Sequence, residues 1–163
     1  MSREYTISVG NQTLTGANTL IFLNPKAGPG PAIEVLRMWI SQAANATSAQ
    51  QRVQIETQVT AFPTLVSATP AALKRGDPIS QIVGGTAGAA GTCGVTASAE
   101  GAGGKTVIWE DAFNVLNGWL WVPTPAETII LQAGAASGLG MFFPAAPTTL
   151  TGWSYGMTFR ELG

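Results

Sequence analysis

Apolar residues recur at every second position in three stretches of this chain, and that period leaves few architectures open. Tyr5, Ile7 and Val9 alternate with Glu4, Thr6 and Ser8. Val53, Ile55, Thr57 and Val59 alternate with Arg52, Gln54, Glu56 and Gln58. Trp153, Tyr155, Met157 and Phe159 alternate with Gly152, Ser154, Gly156 and Thr158. A helix repeats every 3.6 residues and a strand every two, so each stretch predicts a strand with one apolar face. One buried and one solvated face is the habit of antiparallel sheets. Runs rich in β-branched and aromatic residues predict further strands at 19–23, 33–41, 106–110, 119–122, 128–131 and 139–143. That makes about nine. Clusters of Pro, Gly and Asn at 24–31, 117–118, 123–125 and 144–147 separate them.

The rest of the chain is read by what it lacks. Thr69 to Gly76 is the best short helix, with Thr69 as N-cap, Pro70 at the first turn and Gly76 as a stop. The small, polar segment 41–51 reads as a connection with some helical character. Residues 84–105 are mostly Gly, Ala, Thr and Ser and hold no aromatic side chain. Such a stretch buries too little apolar surface to repay its ordering, so an extended loop or arm is expected there. Many short strands with one long central excursion predict an all-β fold. The expected form is an antiparallel two-sheet sandwich, jelly-roll or Greek-key like, with a long Gly/Ala-rich loop. The 61–105 excursion is too long for the hairpins of an up-and-down barrel.

With 163 residues the chain is expected to form a single domain, 1–163, with a sizeable core. Charge is scarce: 8 basic and 9 acidic residues make up 10% of the chain, against about 25% in an ordinary soluble protein. Either Thr, Ser, Gln and Asn dress the surface, or other protein covers it. A net charge of −1 supplies no basic excess to neutralise phosphates, so no nucleic-acid partner is expected. No apolar run is long enough to span a bilayer as a helix, so no membrane partner is expected. The lone Cys93 has no disulfide partner within the chain.

Catalytic and ligand motifs are poor. The chain has no histidine, which removes the commonest general base and metal ligand. Gly101-Ala102-Gly103-Gly104-Lys105-Thr106 ends like a phosphate-binding loop but leads into a strand, where that motif needs a helix. Glu110 and Asp111 are adjacent, so in a strand they point to opposite faces and cannot grip one bond. Glu34 and Glu56 sit in separate strands that could meet across a sheet face. No spacing suits a metal. No catalytic residue, cofactor or metal is expected, and the chain is expected not to be an enzyme. Of the five tryptophans, Trp119 and Trp121 share one strand face. With Trp153 they could stack on a sugar, but core or interface packing is the stronger use of such area.

The order of short segments resembles a group of small tailed-bacteriophage virion proteins. It opens with Met1-Ser2-Arg3-Glu4-Tyr5-Thr6-Ile7-Ser8 and continues through a long strand at 32–41 and Arg52-Val53-Gln54-Ile55-Glu56-Thr57. Leu73-Lys74-Arg75-Gly76-Asp77-Pro78 follows. After the low-complexity stretch come Glu110 to Trp119, then Trp121-Val122-Pro123-Thr124-Pro125, and a final strand closing in Phe159-Arg160-Glu161-Leu162.

The resemblance implies a capsid decoration or cement protein. Such a protein is a β-sandwich that oligomerises, most often as a trimer and sometimes as a dimer, on the outside of the head. Its expected partners are itself and the major capsid protein. Its expected place is the virion surface, reached from the host cytoplasm, since Met1 to Tyr5 lacks the apolar core of a signal peptide. A tail, baseplate or head-fibre protein is the alternative, and a carbohydrate-binding module a weaker one. Interface residues are expected where apolar or Gly/Pro content falls outside clean alternation. These are Pro25, Pro29, Pro31 and Trp39, and further along Phe62, Trp121, Phe142 and Phe143. The 84–104 arm is expected to join them.

Overall fold

A computed structural model describes residues 3–44, 47–134 and 137–163. Among them there is no helix; strands β1 to β13, numbered in chain order, form two sheets. The first sheet runs β10 (Trp119–Trp121), β3 (Ala32–Gln42), β13 (Trp153–Leu162), β1 (Arg3–Gln12), β6 (Ala71–Ala72). β11 (Ile130–Leu131) also pairs with β3. The second runs β5 (Thr64–Ser67), β8 (Thr92–Ala99), β2 (Asn18–Leu23), β12 (Ser137–Phe143), β4 (Gln50–Val59), β9 (Gly104–Asn114). β7 (Val83–Gly84) joins β8 in parallel; the other pairings are antiparallel.

The period-two stretches build the core as their pattern predicts. Tyr5 and Ile7 of β1, Met38 and Ile40 of β3, and Trp153, Tyr155, Met157 and Phe159 of β13 point between the sheets. There they meet Val53 and Ile55 of β4 and Leu139, Met141 and Phe143 of β12. Phe143 meets Trp153 edge to face at 5.2 Å between ring centres. The Trp153 indole N–H donates to the Thr149 carbonyl at 2.8 Å, so no donor is stranded in the core.

Several expectations fail, each for a physical reason. Thr69 to Gly76 holds strand β6 and a turn in place of a helix, because Ala71 and Ala72 pair with Thr6 and Tyr5 at the edge of β1. The 41–51 segment is shared between the ends of β3 and β4, and its described residues include no helix. Asn45 and Ala46 lie outside the described residues. The antiparallel two-sheet sandwich itself is as expected: β1, β13, β3 and β10 neighbour one another in one sheet, and β2, β12, β4 and β9 in the other.

The largest correction concerns 84–105. Its middle is strand β8, inside the second sheet between β2 and the short β5 and β7. Small residues are needed there because both faces are covered. Cys93 and Val95 lie in the main core, while Ala97 sits under Phe22 and Leu65 on the outer face. A side chain on Gly94 would strike Leu65 Cβ at 2.6 Å and the Val66 carbonyl at 2.8 Å. The composition read as an arm is that of a strand buried on both sides.

Candidate interaction surface

A sandwich has two long sides where its sheets end, and here they differ. On one, the chain leaves β5, crosses to the first sheet as β6, and returns to the second as β7. Ile82 closes this side from within, and the Cys93 thiol donates to the Ala68 carbonyl at 3.0 Å. On the other side, β9 ends the second sheet opposite β10 and β11 of the first. β9 pairs with β4 along its whole length, and no strand among the described residues pairs with its other edge.

That bare strand carries Val107, Ile108 and Trp109, all substantially exposed. The register opposite β4 slips between Val107 and Trp109, leaving Ile108 as the extra residue of a bulge. The bulge lets both Ile108 and Trp109 face the gap between the sheets. Across that gap stand Trp121 of β10, Ile129 and Glu127, and together these five line a groove of about 330 Å³. Its walls are apolar and Glu127 is the charged residue in the lining. Thr124 Oγ1 donates to Glu127 Oε2 at 2.9 Å and positions it. At the β10 end the Trp119 indole N–H donates to Asp111 Oδ2 at 3.1 Å, tying the two sheets together.

The interface residues chosen from sequence do not gather. Pro25, Pro31, Trp121 and Phe143 are buried within the chain, so Pro25, Pro31 and Phe143 offer no surface to a partner. Their apolar character serves the fold. Trp121 contributes one wall of the groove. Pro29 is exposed at the tip of its loop. Trp39 lies on the outer face of the first sheet, its indole across Gly156 and under the Arg37 guanidinium at 5.3 Å. Phe62 packs on Phe22 at 5.5 Å, and Phe142 lies 4.0 Å beneath Lys105 Nζ. Both belong to a covering on the outer face of the second sheet. Trp119 and Trp153 are buried as well, so with Trp121 they form no exposed platform for sugar. Ile108, Trp109 and Ile129 are absent from that choice. The signal was present in Val107-Ile108-Trp109, three large apolar residues that break alternation.

The titratable groups are occupied structurally. Lys105 Nζ lies 2.8 Å from Glu56 Oε1 and 3.0 Å from Glu100 Oε2. Glu100 in turn accepts from the Thr19 backbone N–H and hydroxyl, each at 2.6 Å. The lysine that resembled a phosphate ligand is thus committed to carboxylates. Burial raises the Glu56 pKa, and Lys105 opposes the rise. Glu34 and Glu56 belong to different sheets and do not meet. Glu110 faces Arg52 and Gln54 while Asp111 faces Trp119, on opposite faces as adjacency in a strand requires. Burial pushes the Cys93 thiol up to about 12 and Tyr155 up to about 12, the latter opposed by its bond to Thr96 Oγ1. No group of three or more metal-ligating side chains comes together among the described residues. No helix of the described residues is long and apolar enough to cross a membrane.

No protein-family model matches the chain, and no curated protein matches it. Two solved structures align weakly, both of VP2 from infectious bursal disease virus. One is a mutant protein in derived T=1 particles, at 13% identity and a TM-score of 0.20. The other is a subviral particle, at 10% identity and a TM-score of 0.18. Each alignment covers 99% of this chain and 40% or 42% of the other, so the chain spans less than half the length of either. At these scores the likeness carries no argument about fold or role.

Proposed function

We propose that this chain is a non-enzymatic assembly protein whose work is to cover and join other protein subunits. In that reading it is a decoration or cement protein on the outside of a tailed-bacteriophage head. The observation that carries the assembly role is the bare edge of β9 with the Trp109–Trp121 groove beside it. A strand edge left open is a template for pairing with other protein, and on β9 it runs beside the exposed Val107, Ile108 and Trp109 side chains. Contiguous exposed apolar surface marks interaction sites. The scarcity of charge on the rest of the surface fits a protein held among neighbours. The order of segments from Met1 to Leu162 that resembles virion proteins supplies the location.

Repetition on a lattice would let modest contacts add through effective concentration. The test is to add the purified protein to heads that lack it. Bound protein should raise the temperature, or lower the ionic strength, that the shells withstand. Heads that neither bind it nor gain resistance overturn the cement reading. Density for the protein on the tail or on head fibres, located by electron microscopy of whole particles, would move it to those structures.

A further inference from the structure

The most exposed large apolar side chain among the described residues is not in the groove. It is Ile79, at 89% exposure, on the loop from Leu73 to Ser80. This loop is held at both ends. The Leu73 N–H donates to the Glu4 carbonyl at 2.9 Å, and Tyr5 Oη donates to the Pro78 carbonyl at 3.0 Å. Immediately after Ile79, Ser80 Oγ and the Gln81 N–H both donate to Glu161 Oε1 at 2.7 Å. Ile79 therefore projects between two fixed points. Lys74 and Arg75 are exposed on the same loop, against one acid, Asp77. The loop is a preorganised apolar knob with a basic shoulder.

The groove between β9 and β10/β11 is its complement: apolar walls from Ile108, Trp109, Trp121 and Ile129, with the acidic residue Glu127 in its lining. Knob and groove lie at opposite edges of the first sheet, one beyond β6 and the other at β10 and β11. One copy cannot fill its own groove, and with knob and groove at opposite edges the knob of one copy meets the groove of the next. We infer that the Leu73–Ser80 loop of a second copy of this chain docks in the groove, Ile79 against Trp109 and Trp121, Lys74 and Arg75 toward Glu127. Each copy then gives one knob and one socket. Such a head-to-tail contact forms a ring where its rotation closes. Because the knob is already rigid, docking orders little additional chain. The inference rests on the assembly role proposed above and deepens it by naming the partner.

Sedimentation equilibrium on the purified chain tests it. The wild-type chain should assemble reversibly beyond its 16.8 kDa monomer mass. Ile79→Asp and Trp109→Arg should each weaken association by at least about tenfold, with circular dichroism unchanged from wild type. An equimolar mixture of the two variants is the decisive sample. The Trp109→Arg copy keeps its knob and the Ile79→Asp copy keeps its socket. The mixture should therefore form a one-to-one dimer and nothing larger. A paired change, Lys74→Glu with Arg75→Glu, should weaken assembly and recover part of it in a Glu127→Lys background. A wild-type chain that stays monomeric, an Ile79→Asp chain that assembles normally, or a mixture that stays monomeric overturns the inference. A monomer that still binds heads would sink the ring and leave the assembly role standing. A ring that binds no head would do the reverse.

Discussion

Along one long side of the sandwich the chain crosses from sheet to sheet and back. Along the other it leaves an eleven-residue strand bare. The stitched side is built from short strands: β5, β6 and β7 are four, two and two residues long. Short edges leave few unpaired backbone groups for another chain to join. The open side has the reverse character, with a long edge, large side chains and a groove reaching toward Trp121. The difference teaches where stability and assembly are separated. Buried contacts that hold the fold sit under the stitches, and the groove that can receive another protein sits across from them.

Substitution at matched isoleucines should expose that difference most visibly. Ile82, at 1% exposure, closes the stitched side against the core. Ile82→Ala should cost about 2–4 kcal/mol, a lost side chain plus the cavity it leaves. Ile108→Ala on the open side should cost less than about 1 kcal/mol, because its side chain is already in contact with water. Denaturant midpoints of the two variants provide the measurement. Equal losses would mean that the open side is a structural part of the core, and the division drawn here would fail.

The two sides were unequally legible in the sequence. Strands β1, β4 and β13 declare themselves because one face of each meets the core, and burial on one face writes a period of two. β8 does not, because both its faces are covered and packing selects Gly94 and Ala97 for smallness. Small residues without periodicity look the same in a buried strand and in a loose arm. Part of β4 also departs from its pattern. Glu56 and Gln58 are buried on the outer face, under the layer that Phe62 and Phe142 help to form. The open edge was hidden for another reason: Val107-Ile108-Trp109 reads equally well as a central strand. Which strand ends a sheet is decided by pairing between residues far apart in sequence, which no local pattern records. The knob at Ile79 was invisible likewise, since only the anchors at Tyr5 and Glu161 turn that residue outward.

A smaller effect should come from the polar cluster on the outer face beside β9. Lys105→Met would leave the buried Glu56 carboxylate without its cation. The expected loss is about 1–3 kcal/mol, below that of a fully buried pair because Lys105 is partly solvated. Its pH dependence identifies the cause. Burial holds the folded Glu56 pKa above its unfolded value. The penalty is therefore complete above the folded pKa and fades as pH falls toward the unfolded one. Stability of Lys105→Met relative to wild type should recover as the solution is acidified through that window. A deficit that does not change with pH would assign the loss to the stacking of Lys105 on Phe142 instead.

The least costly change should lie on the outer face of the first sheet, where Arg160 bridges Glu4 at 2.7 Å and Glu34 at 3.2 Å. The Arg160 guanidinium holds the Glu4 carboxyl below its ordinary value. A carboxyl with a depressed folded pKa stabilises the fold above its unfolded pKa, and that contribution is lost as pH falls through the folded value. Glu4→Gln should therefore cost about 0.5–1 kcal/mol near neutrality, and nothing once Glu4 is protonated in the wild-type chain. Added salt should shrink the difference, since the side chains remain 24% and 32% exposed. Unfolding curves at neutral and acidic pH, with and without salt, measure it. The backbone carbonyl of the same residue accepts from Leu73 at the foot of the knob, and that bond survives the substitution. Glu4→Gln should thus lower stability slightly while leaving self-association unchanged. A change in association instead would mean that the charge ladder, and not the backbone anchors, sets the position of Ile79.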